Sequence, residues 1–460
     1  MKIDLIQPRH NYASDTGLGQ IYMPTSLLTV GARLLGQGLE VEFHDENIRQ
    51  ANITSEYVGI NLLGAPYIPE AIKLQDKINK EFGNKTYFIG GQVISGLTEQ
   101  QFNKLFGDKT FNGNEDKNLT SILGIKELQI SERTSLIPAY EILEDKDMCE
   151  YLSKEFSLYV SQGCKFACDF CGAARTTKNP LTGENIKVKE AYRDVEIIGK
   201  DLDYLVTKSK NFGLNELNLY MSNLDVFQTP LQLNKFAQAV KIVRNNHPGF
   251  DINLRGLATV TSFIETRNKN YKVIENLVEA GFNTAGFGID GWSREEWVAL
   301  HKGHNTKEKC LEAIKSARKD FGITPEILMV FGNPRTTKEK NIKEAYEITK
   351  MVVDEFKAVP RPHVSKDFIP GNEWWLSGEY RKEIESIINN PEAFQALDFT
   401  ALPSELTHSD KKIRELATEY FLKMCNLSGN TTQYVKPITP GLSREDIEEI
   451  KKFNEGRFDR

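Results

Sequence analysis

The chain is 460 residues long, enough for two or three domains that each bury a core of their own. Its 58 basic against 64 acidic side chains leave a formal net charge of −6, which gives no sign of a general nucleic-acid-binding surface. Six cysteines in this length do not suggest a disulfide framework, and no apolar run approaches the ~20 residues that span a bilayer. A cytoplasmic protein is expected, since Met1-Lys2-Ile3-Asp4-Leu5-Ile6-Gln7-Pro8 reads as a short strand rather than a signal peptide.

From the N-terminus, strand-like runs fall at Lys2–Ile6, Val41–His44, Tyr57–Leu62, Tyr87–Ile89 and, more weakly, Lys109–Phe111. Helical patterns intervene at Met23–Leu35 and Ile68–Phe82. This alternation predicts an α/β unit over residues 1–135, an open doubly wound (Rossmann-like) parallel sheet with ligands expected beyond the carboxyl ends of its strands. Gly90, Gly91 and Gly113 fall at such ends, where a missing side chain permits either a sharp turn or close approach to the backbone.

Residues 136–375 continue the alternation. Candidate strands at 155–162, 215–223, 251–260, 283–290, 324–333 and 358–370 are separated by segments with apolar residues at helical spacing, and Gly213, Gly281 and Gly322 follow several of them at capping positions. Six such units fit a partial (β/α)6 barrel, whose active residues would lie at the C-terminal ends of the strands. Residues 376–460 read as a helical C-terminal region. Ile413, Leu416, Ala417, Tyr420 and Phe421 form an apolar stripe there, and Ser443 with Asp446 opens a last helix like a capping box. A cap over the barrel mouth is expected of this region.

Directly after the first barrel strand, Cys164, Cys168 and Cys171 stand in the run Gln162-Gly163-Cys164-Lys165-Phe166-Ala167-Cys168-Asp169-Phe170-Cys171-Gly172. The C-x3-C-x2-C spacing lets one tight loop deliver three thiolates to a single inorganic centre. Three protein ligands on a four-iron cluster leave one iron open, whereas ordinary electron-transfer clusters are held by four. A closed zinc site takes four ligands, commonly from two paired motifs, and no second cysteine pair is present; three buried thiols are the remaining alternative. Cys149, Cys310 and Cys425 are scattered and read as core or partly exposed thiols.

This loop, with the aromatic Phe170 before its last cysteine, resembles the signature of the radical S-adenosylmethionine (SAM) enzymes. The resemblance implies a [4Fe-4S] cluster on Cys164, Cys168 and Cys171 that binds SAM and cleaves it reductively, fed by an electron donor such as flavodoxin or ferredoxin. It also nominates cofactor-binding positions. Ser222, Asn223 and Asp225 match by position the segment that binds the SAM amino group, with capping of the next turn as their other role. Arg255 is a candidate for the SAM carboxylate, for substrate, or for a barrel-edge salt bridge. Asp290 stands where relatives often carry a Glu that contacts ribose or methionine, and Gly332 lies in a segment resembling the one that flanks adenine. His301 and His304 read as a solvated helix start, and Trp374-Trp375 as core or as substrate mouth.

The succession Pro24…Leu27-Leu28…Gly38-Leu39-Glu40-Val41, Val58-Gly59-Ile60, Phe88-Ile89-Gly90-Gly91 and Asn112-Gly113-Asn114-Glu115 is similar to the cobalamin-binding domain that precedes many radical SAM cores. It implies cobalamin near Gly90, Gly91 and Gly113. No Asp-x-His-x-x-Gly motif offers cobalt a lower axial histidine. The leading expectation is a cobalamin-dependent methyltransferase acting on an unactivated carbon of a small-molecule or peptide substrate. The alternatives are an epimerase, dehydratase or rearrangement enzyme with the N-terminal sheet as scaffold, and a non-enzymatic iron–sulfur sensor or binding module. Epimerisation would need a hydrogen donor, for which Cys310 is a candidate thiol. Methylthiotransfer is disfavoured, because no cysteine precedes Cys149 to hold a second cluster.

Overall fold

Period-two alternation of apolar side chains builds the first sheet. Strands β1 (Lys2–Gln7), β2 (Glu40–Asp45), β3 (Tyr57–Asn61), β4 (Thr86–Gly90) and β5 (Thr110–Asn112) pair in parallel in the order β2-β1-β3-β4-β5. The chain steps outward from β1 to β2 and then crosses to the other side of β1, so a switch point lies between β1 and β3. Ile3, Leu5, Val41, Phe43 and Phe88 share one core with Leu27, Leu28, Ala32 and Leu34 of the helix Thr25–Gly36. Ile6, Val58, Ile60, Tyr87 and Ile89 share another with the helices Tyr67–Phe82 and Glu99–Phe106. The latter begins with a full capping box, Thr98 accepting from Gln101 N while the Gln101 side chain accepts from Thr98 N. The computed structural model describes residues 1–9, 23–114, 116–126, 134–173, 177–178, 185–186, 190–331, 337–365, 369–397 and 410–427.

The second sheet starts at β6 (Glu155–Tyr159), followed by four two-residue strands: β7 (Ser161–Gln162), β8 (Thr177–Lys178), β9 (Asn185–Ile186) and β10 (Ala191–Tyr192). β7 pairs with β10 and β8 with β9, both antiparallel. Then come β11 (Glu216–Ser222), β12 (Asp251–Ala258), β13 (Phe282–Gly288), β14 (Thr324–Phe331) and β15 (Val359–Val364), each reached through helical chain. Six strands pair in parallel in the order β15-β14-β13-β12-β11-β6, leaving β6 and β15 as edges of a partial barrel. Leu217, Leu219 and Met221 of β11 and Ile252, Leu254 and Ala258 of β12 are buried in the core shared with the surrounding helices. Tyr220 and Arg255, paired in register, belong to the opposite, inner face. Arg255 reaches Glu155 two strands away on one side and Glu326 two strands away on the other, which only a strongly curved sheet allows.

The described part of the C-terminal region packs elsewhere than over the barrel mouth. Trp375, Ile384, Ile387, Ile388, Phe394 and Leu397 enter the core of the N-terminal sheet rather than covering the barrel mouth. Trp374 and Trp375 are both buried, in keeping with a packing role. The helix Lys411–Leu427 buries Ile413, Ala417, Phe421 and Met424 on the barrel's outer side, against β15 and the helix Glu339–Phe356. Ser443 and Asp446 lie outside the described residues. Among the described residues, no helix is long and apolar enough to cross a membrane.

Specific contacts lock the two sheets together. Tyr151, before β6, donates to Asp45 at the end of β2, at 2.5 Å, and Arg49 pairs with the buried Asp147 at 3.1 Å. On the opposite side, Gly96 packs so closely on the turn Pro370-Gly371 that a Cβ there would stand 2.1 Å from the Gly371 nitrogen. A Gly96→Ala substitution must therefore push backbone apart, and overpacking of this kind costs about 1–3 kcal/mol. Its thermal unfolding midpoint is expected to fall, whereas Gly36→Ala, whose Cβ meets nothing within 4 Å, keeps the wild-type midpoint.

Candidate active site

The cysteine run leaves β7 through Gly163, whose φ of 95° suits glycine. The loop then curls on itself: Cys171 N donates to Cys168 O at 3.1 Å, and Phe166 N points at the Cys164 sulfur at 3.4 Å. Gln228 brackets Cys164 from outside, its Nε2 donating to Gly163 O at 3.0 Å while its Oε1 accepts from Lys165 N at 3.1 Å. All three thiols are half-buried. Burial pushes the Cys168 thiol up to about 12, so the thiolate form calls for a metal's positive charge beside it. A tetrahedral zinc with Zn–S bonds of about 2.3 Å would draw sulfurs to ~3.8 Å from one another. Among the described residues, the set whose ligand atoms all lie within 4.8 Å of one another is Asp4, Glu42 and His44.

The segment Leu300–Asn305 docks onto this loop. Asp169 N donates to Leu300 O at 3.2 Å, and His301 Nδ1 lies 2.6 Å from Asp169 Oδ1. The His304 ring stacks on Phe166 with centroids 4.6 Å apart, and Lys302 Nζ stands 5.8 Å from the Phe170 centroid. His301 keeps 69% of its side chain exposed, but Lys302 is buried and His304 half-buried, so the expected solvated helix start is instead a docking segment. Burial, helped by the cations Lys302 and Lys309, pushes the His304 imidazole down to about 4 and keeps it neutral at neutral pH. On the other side, Asp169 O accepts from Glu373 N at 2.9 Å, tying the loop to the segment that follows Gly371.

Between the carboxyl ends of the two sheets lies a cavity of about 530 Å³, within the ~300–1,000 Å³ usual for ligand sites. Gly90, Gly91, Gly113, Asn114 and Asn61 line one wall; Tyr159, Gly163, Tyr220, Ser222, Asn223 and Leu224 line the other. The glycines answer to close packing. A Cβ on Gly91 (φ 117°) would fall 2.2 Å from Leu62 O, and one on Gly90 would fall 3.0 Å from Asn114 Oδ1. Asn114 then stitches the ends of β4 and β5 by accepting from Gly91 N at 2.8 Å and donating to Gly91 O at 2.7 Å. The result is a wall of backbone, and no histidine lines the cavity among the described residues.

The sequence-nominated residues divide by their partners. Asn223 is buried on the cavity wall, and its side-chain amide has no hydrogen-bond partner at either nitrogen or oxygen. An unsatisfied buried amide costs about 1–3 kcal/mol, so a ligand's polar group is the natural complement. Ser222 lines the same wall. Asp225 does not: its carboxylate accepts from Thr259 N at 3.2 Å, Thr259 Oγ1 at 2.8 Å and Phe227 N at 3.3 Å, the turn-capping role. Burial still pushes that carboxyl above its ordinary range. Asp290 (φ 52°) contacts the Lys302 ammonium, which also donates to Gly288 O at 3.0 Å. Burial works against that ammonium, but Asp290 and Cys168 outweigh it and hold Lys302 above the usual lysine range. Gly332 lies outside the described residues.

Arg255 belongs to the barrel interior. Its Nε and Nη2 donate to Glu326 Oε2 at 2.9 and 2.6 Å, its Nη1 to Glu155 at 3.3 Å, and it stacks 5.4 Å from the Tyr220 centroid. Arg361 takes the other Glu326 oxygen at 3.1 and 2.8 Å. Burial would raise the Glu326 carboxyl, but the two guanidiniums outweigh it and hold it below its usual range. Of the alternatives for Arg255, this geometry is the salt bridge.

Residues 158–345, from within β6 into the helix Glu339–Phe356, match the model of the Radical SAM superfamily. Over this span the chain resembles a radical SAM domain. It is 24% identical over 230 residues to the oxygen-independent coproporphyrinogen III oxidase of Helicobacter pylori strain J99, covering 50% of this chain and 45% of that protein. The chain thus spans about half the length of the curated relatives it matches. Among solved structures, the radical SAM methyltransferase TsrM from Kitasatospora setae, with cobalamin and a [4Fe-4S] cluster bound, superposes with a TM-score of 0.60 at 12% identity, covering 83% of this chain and 78% of that one. The cobalamin-dependent SAM radical enzyme OxsB, with aqua-cobalamin and SAM bound, gives 0.57 at 15% identity, covering 86% and 56%. At such identities the likeness is one of fold: an N-terminal parallel sheet ahead of a radical SAM barrel. The domain's cofactors are the [4Fe-4S] cluster and SAM, and the loop of Cys164, Cys168 and Cys171 lies inside the matched span.

Removing one partner of a buried charge network is destabilising by about 3–5 kcal/mol. Arg255→Met, which strips Glu155 and half of Glu326, is expected to lower the denaturant midpoint by a corresponding amount. SAM affinity of the folded protein, measured by equilibrium dialysis, should stay at the wild-type value.

Proposed function

We propose that this chain is a cobalamin-dependent radical SAM methyltransferase that methylates an unactivated carbon. The observation that carries the reading is a cavity lined both by Gly163 and Ala173, which flank the cysteine run, and by the glycine-walled carboxyl edge of the N-terminal sheet. Groups held at the two edges would face the same substrate. Bound there, the cluster with SAM supplies hydrogen abstraction, and the corrinoid supplies transfer of a methyl group. The likeness to TsrM and OxsB, both described with cobalamin, supports the same assignment.

The chain's own residues do the positioning. Cys164, Cys168 and Cys171 are the ligands, and Gln228 fixes the backbone on both sides of Cys164. Asn223 offers an unpaired carbonyl and amide to polar groups of SAM. Gly90, Gly91 and Gly113 present a flat, side-chain-free wall suited to the face of a planar macrocycle. Ile60, Leu224 and Ala173 supply apolar lining that limits water near the reacting atoms.

Replacing Cys164, Cys168 and Cys171 together by Ala is expected to abolish iron loading and 5′-deoxyadenosine formation while circular dichroism stays that of the wild type. Retained SAM cleavage in that folded variant would sink the enzyme assignment. Cobalt content after anaerobic purification from cobalamin-supplied cells should approach one per chain; iron without corrinoid, even after reconstitution with excess cobalamin, would move epimerisation or rearrangement ahead of methyl transfer. Asn223→Leu removes hydrogen bonds to a charged ligand, worth about 1.5–3 kcal/mol, so the Kd for SAM should rise by roughly 10- to 100-fold.

A further inference from the structure

Lys302 is the buried charge that the chemistry above leaves without a task. Its side chain is only 5% exposed, although it sits on a loop. A lysine so placed normally snorkels to water or is excluded altogether. Here four features hold it inside. The Asp290 carboxylate contacts Nζ, and Gly288 O accepts from it at 3.0 Å. Gly288 is itself necessary, because a Cβ there would stand 2.9 Å from Nζ. Lys302 N donates to Trp297 O at 2.7 Å, and Lys302 O accepts from Asn305 N at 2.9 Å, so the backbone beneath the side chain is fixed.

The direction of the side chain is informative. Nζ lies 5.8 Å from the ring of Phe170, the residue between Asp169 and Cys171, and the segment carrying it grips the cysteine loop through Asp169 and Phe166. Asp290 contacts Nζ, and among the described contacts of the pair it is Nζ that reaches the cysteine loop, at the Phe170 ring, so the positive end of the pair faces the loop. We propose that Lys302, held by Asp290, is a positioning residue that raises the reduction potential of the cluster bound by Cys164, Cys168 and Cys171, an inference that rests on the enzyme reading above.

The physical reason is simple. Reduction adds one electron, from an external one-electron donor, to a thiolate-ligated assembly that is already negative, with no bond made or broken. A fixed cation in a poorly solvated site stabilises the extra charge more than bulk water would, and nearby charge is one of the levers on cluster potential. Phe170 and the buried pair also keep solvent from screening the interaction.

The test is a mediator-poised redox titration of anaerobically reconstituted holoprotein, followed by electron paramagnetic resonance of the reduced cluster. Wild type is compared with Lys302→Met, Lys302→Arg and the double variant Lys302→Met/Asp290→Asn, which leaves no unpaired buried charge if the single variant fails to fold. The midpoint is expected to move to more negative potential in Lys302→Met and, by less, in the double variant, with Lys302→Arg returning toward wild type and iron content unchanged. Wild-type midpoints in fully loaded Lys302→Met or double variant would overturn the proposal. A wild-type protein that assembles no four-iron cluster would overturn the enzyme reading instead, and this inference with it.

Discussion

Three sulfurs on a loop without regular structure must be kept aimed at one point, and a loop cannot do this by itself. The cysteine run is braced from three directions. Gln228 holds the chain on either side of Cys164, Leu300 and His301 hold Asp169 from the barrel side, and Glu373 N holds Asp169 O from the C-terminal side. Every one of these supports comes from an element distant in sequence. The barrel, the helix after β13 and the turn before Glu373 are thus all conditions for a usable ligand set.

The same economy governs the join between the two sheets. Their carboxyl edges face one cavity, and at the join backbone meets backbone where Gly96 packs on Gly371. Larger side chains, Tyr151 on Asp45 and Arg49 on Asp147, brace the periphery.

Period-two and period-3.6 patterns made the skeleton legible: all five strands of the first sheet and all six of the barrel fall within a few residues of their expected places. The ligand loop was equally legible, because Cys164, Cys168 and Cys171 are neighbours in sequence and need no folding to be associated. What escaped was tertiary. Arg255 looked available because its partners Glu155 and Glu326 lie 100 and 71 residues away. His304 looked solvated because the surface it docks on is the cysteine loop itself, which no local pattern reveals. The helix Arg381–Asn389 carries the same kind of apolar stripe whether it closes a barrel or, as here, pads a sheet. Polarity patterns say that a face is covered without saying by what.

The charged and amide side chains inside the barrel have a consequence for traffic. Asn218, Asn253 and Asn283 hydrogen-bond in a row across β11, β12 and β13, and the Arg255–Glu326–Arg361 cluster lies beyond them along the strands. Together they put a polar, hydrogen-bonded layer toward the amino-terminal ends of the strands, and the lining residues Tyr220 and Ser222 lie past it, so a ligand in the cavity meets the barrel from its carboxyl end.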